Sequence, residues 1–171
     1  MTINWKEIIN ELKTQQGEIR TIGLDFYKNI DGRFNEIITL WNDAGYTSNK
    51  VEWINFYPGT HFNENISSQF AKLVGIKHIR SWISCTRPGK SAPWHRDVDD
   101  AMDDYLKMGQ LERYTCHIGE PAVGQVMLVD QESFYMIPEG TITRWPDALA
   151  WHGAANCGFD NHYLYHFLGY K

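Results

Sequence analysis

His95 and Asp97 form an H-x-D pair within Pro93-Trp94-His95-Arg96-Asp97, and a third candidate stands far downstream in Trp151-His152-Gly153. Two imidazoles and one carboxylate bind a divalent metal and leave coordination positions open, the ligand set of a non-haem Fe(II) centre that works with oxygen. Four protein ligands would close the site instead. On a strand, His95 and Asp97 would point to one face, because alternate residues do. His152 would then arrive from a distant strand. An H-x-D pair alone is more often a surface ion pair or a satisfied core histidine, and the chain has seven histidines. The order of the neighbouring parts favours a metal. A β-rich run and a Pro88-Gly89 turn precede the pair, and His152-Gly153-Ala154-Ala155-Asn156 precedes the last β-rich run.

The elements that must position these residues change in character along the chain. Asn4 is a capping residue, Glu7 stands where a capping box places its acid, and Trp5, Ile8, Ile9 and Leu12 follow helical spacing. Gly17 is a stop for that helix. Residues 19–26 are a candidate short strand. A second helix is expected over residues 31–44, with Phe34, Ile37, Ile38 and Trp41 as its apolar stripe and Gly45 as its stop. Residues 51–57 are a strand closed by Pro58-Gly59, and residues 65–74 a third helix ended by Gly75. From residue 76 the pattern becomes β. Runs 76–86, 113–118, 125–130, 134–137, 141–145 and 163–170 are separated mostly by Gly or Pro, which predicts an antiparallel sandwich or barrel. Residues 98–107 interrupt them as a short acidic helix or lid. The expectation is one domain: a helical support region over 1–75 and a mainly β core over 76–171.

Bulk properties narrow the function classes. Hydrophobic residues make up 43% and charged residues 22% of the 171 positions, as in ordinary globular proteins. The net charge of −5, with no basic run, argues against a nucleic-acid partner. No apolar run reaches the length of a membrane span, and Met1-Thr2-Ile3-Asn4-Trp5-Lys6-Glu7 lacks a signal-peptide layout. Three cysteines without a C-x-x-C spacing point to a reducing cytoplasm rather than a disulfide framework, with Cys116 and Cys157 expected as buried thiols. The substrate is left as a small molecule or a peptide.

Residues 76–171 resemble the double-stranded β-helix (jelly-roll, cupin-like) core of the Fe(II)/2-oxoglutarate-dependent oxygenases. The residues that carry the likeness are Trp94-His95-Arg96-Asp97, Arg113-Tyr114-Thr115-Cys116-His117-Ile118-Gly119, Gly124, Phe134, Pro138-Glu139-Gly140 and His152-Gly153-Ala154-Ala155-Asn156. The aspartyl/asparaginyl β-hydroxylase-like branch is nearest, with prolyl-hydroxylase-like enzymes next. The resemblance implies His95, Asp97 and His152 as iron ligands, with 2-oxoglutarate as cosubstrate, O2 as oxidant and hydroxylation of a C–H bond as the reaction.

One position departs from the family. Its members carry an arginine for the distal carboxylate of 2-oxoglutarate about ten residues past the final ligand; here that position is His162. Arginine is always charged and offers a planar fork, whereas the charge of histidine depends on its surroundings. The cosubstrate is therefore held differently, held weakly, or is not 2-oxoglutarate. His117, Arg113, Arg144 and Asn156 are the other candidates for holding it, with Arg80 and Arg87 flanking the strand before the metal pair. Trp94 and Trp151 each precede a ligand and would pack behind it or fill the core. The alternatives to an oxygenase are a cupin-like metal protein that does not use 2-oxoglutarate, or a binding module without turnover.

Overall fold

A computed structural model describes residues 3–21, 35–97 and 100–171. Part of the expected strand at 22–26, the start of the expected helix at 31–34 and residues 98–99 of the acidic run lie outside the described residues. The order is α1 (Trp5–Leu12), β1 (Glu18–Thr21), α2 (Asn35–Asp43), β2 (Glu52–Phe56), α3 (Asn65–Val74), β3 (Lys77–Thr86), β4 (Lys90–His95), α4 (Asp100–Met108), β5 (Leu111–Ile118), β6 (Gln125–Val129), β7 (Glu132–Tyr135), β8 (Ile142–Arg144), β9 (His152–Asn156) and β10 (His162–Tyr170).

The strands form two antiparallel sheets. The major sheet runs β1-β2-β3-β10-β5-β8 and the minor sheet β4-β9-β6-β7. From β3 onward the chain crosses repeatedly between them, and of consecutive strands only β6 and β7 pair. This winding is the double-stranded β-helix, or jelly roll. No helix among the described residues is long and apolar enough to cross a membrane.

Alternation along β10 explains where the core sits. Nearly every residue of this strand is buried, so it is covered on both faces. Tyr163, Tyr165 and Phe167 point away from the barrel into a core shared with α1 and α3. Trp5 lies 5.3 Å and Phe70 5.0 Å from the Tyr165 ring. Aromatic pairs at this spacing add to the area they bury. The opposite face carries His162, Leu164, His166 and Leu168. The apolar core therefore lies largely outside the barrel, which frees its interior for polar side chains.

The helices obey their local signals with informative differences. Asn4 caps α1 by accepting from the Glu7 amide at 3.3 Å, while the Glu7 carboxylate accepts from the Asn4 side chain at 3.1 Å. α3 ends on Gly75 in the left-handed region. Gly17 is not the stop of α1, which ends at Leu12. A Cβ there would lie 2.5 Å from Ile54 Cγ2, so Gly17 is required by the close passage of the chain over β2. The strands expected in the first 75 residues form as β1 and β2, which extend the major sheet at one edge.

Candidate metal centre

β4 and β9 are neighbours in the minor sheet, with His95 paired to His152. The pairing slips between Ala92 and His95, where Pro93 has no amide hydrogen to give to a ladder. Gly153 permits this approach, since a Cβ there would lie 2.9 Å from the Ala92 carbonyl oxygen. The two rings are 4.2 Å apart. β4 ends at His95, so Asp97 does not reach the site by strand alternation. Arg113, reaching in from β5 across the barrel, holds it through an Nη1–Oδ2 contact of 2.5 Å.

The three candidate ligands form a compact set. Asp97 lies 3.9 Å from His95 Nε2 and 3.8 Å from His152 Nε2. One ligand atom from each falls within 4.8 Å of the others, the only such group of three among the described residues. Donor counting assigns the tautomers. Nδ1 of His95 sits 2.6 Å from the Pro93 carbonyl and Nδ1 of His152 3.0 Å from that of Ala150. A carbonyl only accepts, so each Nδ1 carries the hydrogen and each neutral ring presents its Nε2 lone pair. An outer hydrogen bond of this kind orients metal-bound imidazoles.

Electrostatics suit the same role. Burial lowers the proton affinity of both imidazoles, and His152 falls well below the ordinary value. Burial alone would raise the Asp97 carboxyl, but the Arg113 guanidinium and the His152 and His95 imidazoles together outweigh it and hold it well below the usual carboxylate range. Two neutral nitrogens and one carboxylate are thus available at neutral pH.

Residues 1–75 shape the walls. Trp53 of β2 stacks on His95 at 5.6 Å, and Trp41 of α2 meets the same ring edge-on at 5.8 Å while donating to the Trp94 carbonyl at 2.9 Å. Trp145 packs 4.7 Å from His152 and lies beneath the Arg113 guanidinium at 3.8 Å.

A cavity of about 110 Å3 opens in front of the triad. Cavities of about 150 Å3 hold a benzene ring, so the space suits a small molecule. Its polar wall includes Arg20, Arg80, Arg113, Asn55, Ser84 and His166. A hydrogen-bond chain sets the direction of one donor. Trp145 Nε1 donates to Thr115 Oγ1 at 2.9 Å, and that hydroxyl faces His166 Nδ1 at 3.4 Å. Burial keeps His166 neutral, and its Nε2 lies 2.8 Å from Ser84 Oγ. In the tautomer in which Nδ1 accepts from the Thr115 hydroxyl, Nε2 donates to Ser84 and the Ser84 hydroxyl hydrogen is left for the cavity. Arg113 Nε is a second buried donor without a partner.

The structure gathers His95, Asp97, His152 and Arg113, with Arg80 on the wall of the same cavity, and separates Arg87, Arg144, Asn156, His117 and His162 from them. Arg144 is paired with Glu112 at 2.9 Å, with its side chain 57% exposed. Asn156 uses its amide on the Thr86 and Asp160 carbonyls and accepts from the Gly158 amide, bracing the loop below β9. Arg87 pairs with Glu52 at the surface. His117 and His162 line a smaller chamber that shares no lining residue with the cavity before the triad. Trp94 is neither core nor cavity wall. It is 39% exposed and stacks on Trp151 at 6.4 Å. Cys116 is buried as expected, whereas Cys157 is exposed, on the loop after β9. Sequence reasoning missed Trp53, Asn55, Ser84, Trp145 and His166. The alternation Arg80-x-Trp82-x-Ser84-x-Thr86 was the one signal that could have shown an inward polar row.

No protein-family model and no curated protein matches the chain. Solved structures do align. A viral collagen prolyl hydroxylase from Paramecium Bursaria Chlorella virus-1, in complex with 2-oxoglutarate, is 12% identical over 94% of this chain and 98% of its own, with a TM-score of 0.47. A Thermotoga maritima protein predicted to be an oxalate decarboxylase is 12% identical over 70% and 82%, with a TM-score of 0.43. A candidate sugar phosphate isomerase from Acidithiobacillus ferrooxidans is 13% identical over 70% of this chain, with a TM-score of 0.39. The chain spans 60% of that isomerase. The jelly-roll architecture rests on this chain's own strand pairing.

Proposed function

We propose that the protein is a non-haem Fe(II)- and 2-oxoglutarate-dependent oxygenase that hydroxylates a C–H bond of a small molecule or an amino-acid side chain. The carrying observation is the compact His95–Asp97–His152 set, with both Nε2 lone pairs turned toward one carboxylate by backbone carbonyls. Two imidazoles and a carboxylate fit ferrous iron and leave positions open for other ligands. The cavity fits a dianionic cosubstrate in charge, since guanidiniums and hydroxyls line it. Bound together, iron and 2-oxoglutarate supply activation of O2 and oxidation of an unreactive C–H bond, with succinate and CO2 as the other products.

The chain's own residues do the rest. His95, Asp97 and His152 would hold the metal. Arg113 keeps Asp97 ionised, and its unpartnered Nε hydrogen and the Ser84 hydroxyl are the donors that a carboxylate oxygen would meet. Trp41, Trp53 and Trp145 pack against the ligand rings and keep water from them. His162 is not assigned to the cosubstrate, because it lines a different chamber.

That last point also favours a second account, a cupin-like metal protein that works without 2-oxoglutarate. One experiment separates the two. Anaerobic protein is titrated with Fe(II) and then 2-oxoglutarate while visible absorbance is followed; air is added and succinate measured. A new absorption band with succinate release supports the oxygenase. Iron binding with neither result overturns it in favour of the second account. Failure to bind iron removes both.

A further inference from the structure

The major-sheet wall of the triad cavity carries hydrogen-bonding groups whose directions can be counted. His166 of β10 pairs with Trp82 of β3 on one side and with Thr115 of β5 on the other. The Trp82 ring stacks on His166 at 4.9 Å and 15°. Nδ1 of His166 lies 3.4 Å from Thr115 Oγ1, and Nε2 lies 2.8 Å from Ser84 Oγ. Turning the ring over would set carbon against both hydroxyls, so these contacts fix its orientation. They leave one question, which nitrogen carries the hydrogen.

Thr115 answers it. The residue is 0% exposed, so solvent does not reach its hydroxyl. Among the described residues that hydroxyl has two partners, Trp145 Nε1 at 2.9 Å and His166 Nδ1. An indole N–H only donates. The one acceptor for the Thr115 hydrogen is therefore a bare Nδ1. With the hydrogen on Nδ1 instead, the Thr115 hydroxyl would become a buried donor with nothing to receive it. That cost shifts the balance between tautomers by roughly fivefold or more. Burial, helped by the nearby Arg113 charge, lowers the proton affinity of His166 well below its ordinary value, so the ring holds a single hydrogen at neutral pH. It sits on Nε2 and is given to Ser84. Ser84 is half-buried and lines the cavity. Its own hydrogen cannot go back to Nε2 and is offered to whatever enters.

We propose that Thr115 is a positioning residue: its buried hydroxyl locks His166 in the Nε2–H form and so makes Ser84 a one-way donor, which admits a carboxylate or carbonyl oxygen at that point of the cavity and rejects an N–H group. Thr115 touches neither the triad nor the cavity; it acts through His166. The inference rests on the oxygenase account only for the identity of the ligand, 2-oxoglutarate.

The test is 15N–1H NMR of the histidine side chains in metal-free protein at pH 7, with His166 assigned by its loss in His166→Gln. In the wild type Nε2 should be protonated and Nδ1 bare. Thr115→Val leaves one ring nitrogen without a partner in either tautomer, so the preference should collapse and both nitrogen signals should move to averaged positions. Thr115→Ser keeps the hydroxyl and should retain the wild-type spectrum. Saturating Thr115→Val, loaded with diamagnetic Zn2+, with 2-oxoglutarate should return His166 to the Nε2–H form, because only that form frees the Ser84 hydrogen for a carboxylate oxygen. A wild-type Nδ1 that carries hydrogen overturns the proposal, whether or not Thr115→Val folds. So does a Thr115→Val spectrum identical to the wild type, or 2-oxoglutarate that binds this variant without moving its His166 signals. Failure of 2-oxoglutarate to bind the Zn2+-loaded wild type counts against the oxygenase account instead; the ligand-free spectra need neither metal nor cosubstrate and still decide the role of Thr115.

Discussion

Replacing Arg113 with methionine should separate the structural and metal-binding roles of Asp97. Arg113 is 1% exposed and contacts Asp97 at 2.5 Å, while the Asp97 side chain keeps 32% of its surface exposed. Removing one partner of a buried ion pair costs about 3–5 kcal/mol. The exposed third of Asp97 places this case at the lower end, at about 3 kcal/mol for the metal-free protein. In a chain of this length each kcal/mol moves Tm by roughly 2–4 °C, so the expected fall is roughly 6–12 °C. A divalent cation bound at the triad meets the same carboxylate and replaces the lost counter-charge. Metal at about 100 times its Kd stabilises the wild type by about 2.7 kcal/mol. The variant should gain more, by roughly 2 kcal/mol, the charge-compensating part of what it lost. The assay is a four-corner thermal unfolding cycle: wild type and Arg113→Met, each chelated and each at the same free Mn2+ concentration, about 100 times the wild-type Kd. Arg87→Met, whose pair with Glu52 is at the surface, serves as a control with a cost of at most about 1 kcal/mol. If the four corners add within about 0.5 kcal/mol, the two perturbations are independent. Arg113 would then not be the group that holds Asp97 for a metal, and the electrostatic account of the site would fail.

Three further perturbations address other parts of the site. Gly153→Ala places a methyl against the Ala92 carbonyl and should force β4 away from β9, lowering Mn2+ affinity in calorimetry although no ligand is changed; unaltered affinity would mean that the strand spacing does not set the His95–His152 geometry. Ser84→Ala should leave metal affinity intact and weaken 2-oxoglutarate by roughly 10- to 100-fold, the worth of about 1.5–3 kcal/mol for a hydrogen bond to a charged group; equal affinity would dismiss the Ser84 donor. His117 and His162 have folded-state values of about 4 against roughly 6.5 in the unfolded chain. The unfolded state therefore takes up protons first, so their contribution is whole above pH 6.5 and is lost as pH falls toward 4. Urea unfolding of chelated protein at pH 7, 6 and 5 should show His162→Phe reducing that loss by about 1.4 kcal/mol per pH unit, and parallel slopes in variant and wild type would contradict it.

The candidate ligands were legible because their identity and spacing are local facts. So were α3, bounded by Gly75, and most of the short β-rich runs. What the sequence could not supply was the choice among chemically equal residues, which long-range register makes. Arg113 and Arg144 look equivalent on the chain. Tyr114 pairs with Arg144 across β5 and β8, so Arg144 shares the outward face of Tyr114 while Arg113 points inward. A shift of one residue would exchange them. His117 pairs with Leu164, yet Leu164 lines the upper cavity and His117 the lower chamber. Nothing local marks that boundary. The part played by Trp41 and Trp53 was hidden for the same reason: they come from segments with no motif and reach His95 only through tertiary packing.

The carbonyl that orients each imidazole belongs to the residue two positions before it, in Pro93-Trp94-His95 and in Ala150-Trp151-His152. No other side chain is needed to choose the tautomer. Each tripeptide is therefore a self-contained ligand cassette, and substitution elsewhere in the barrel can alter charge, volume or access without turning either lone pair away. A jelly roll furnished in this way can be refitted for a new substrate by changing the residues opposite, on β2, β3 and β10, while the metal-binding edge is inherited whole. The same property makes the pair a compact graft: two three-residue pieces, placed on adjacent antiparallel strands with a small residue between them, would carry their own geometry into another scaffold.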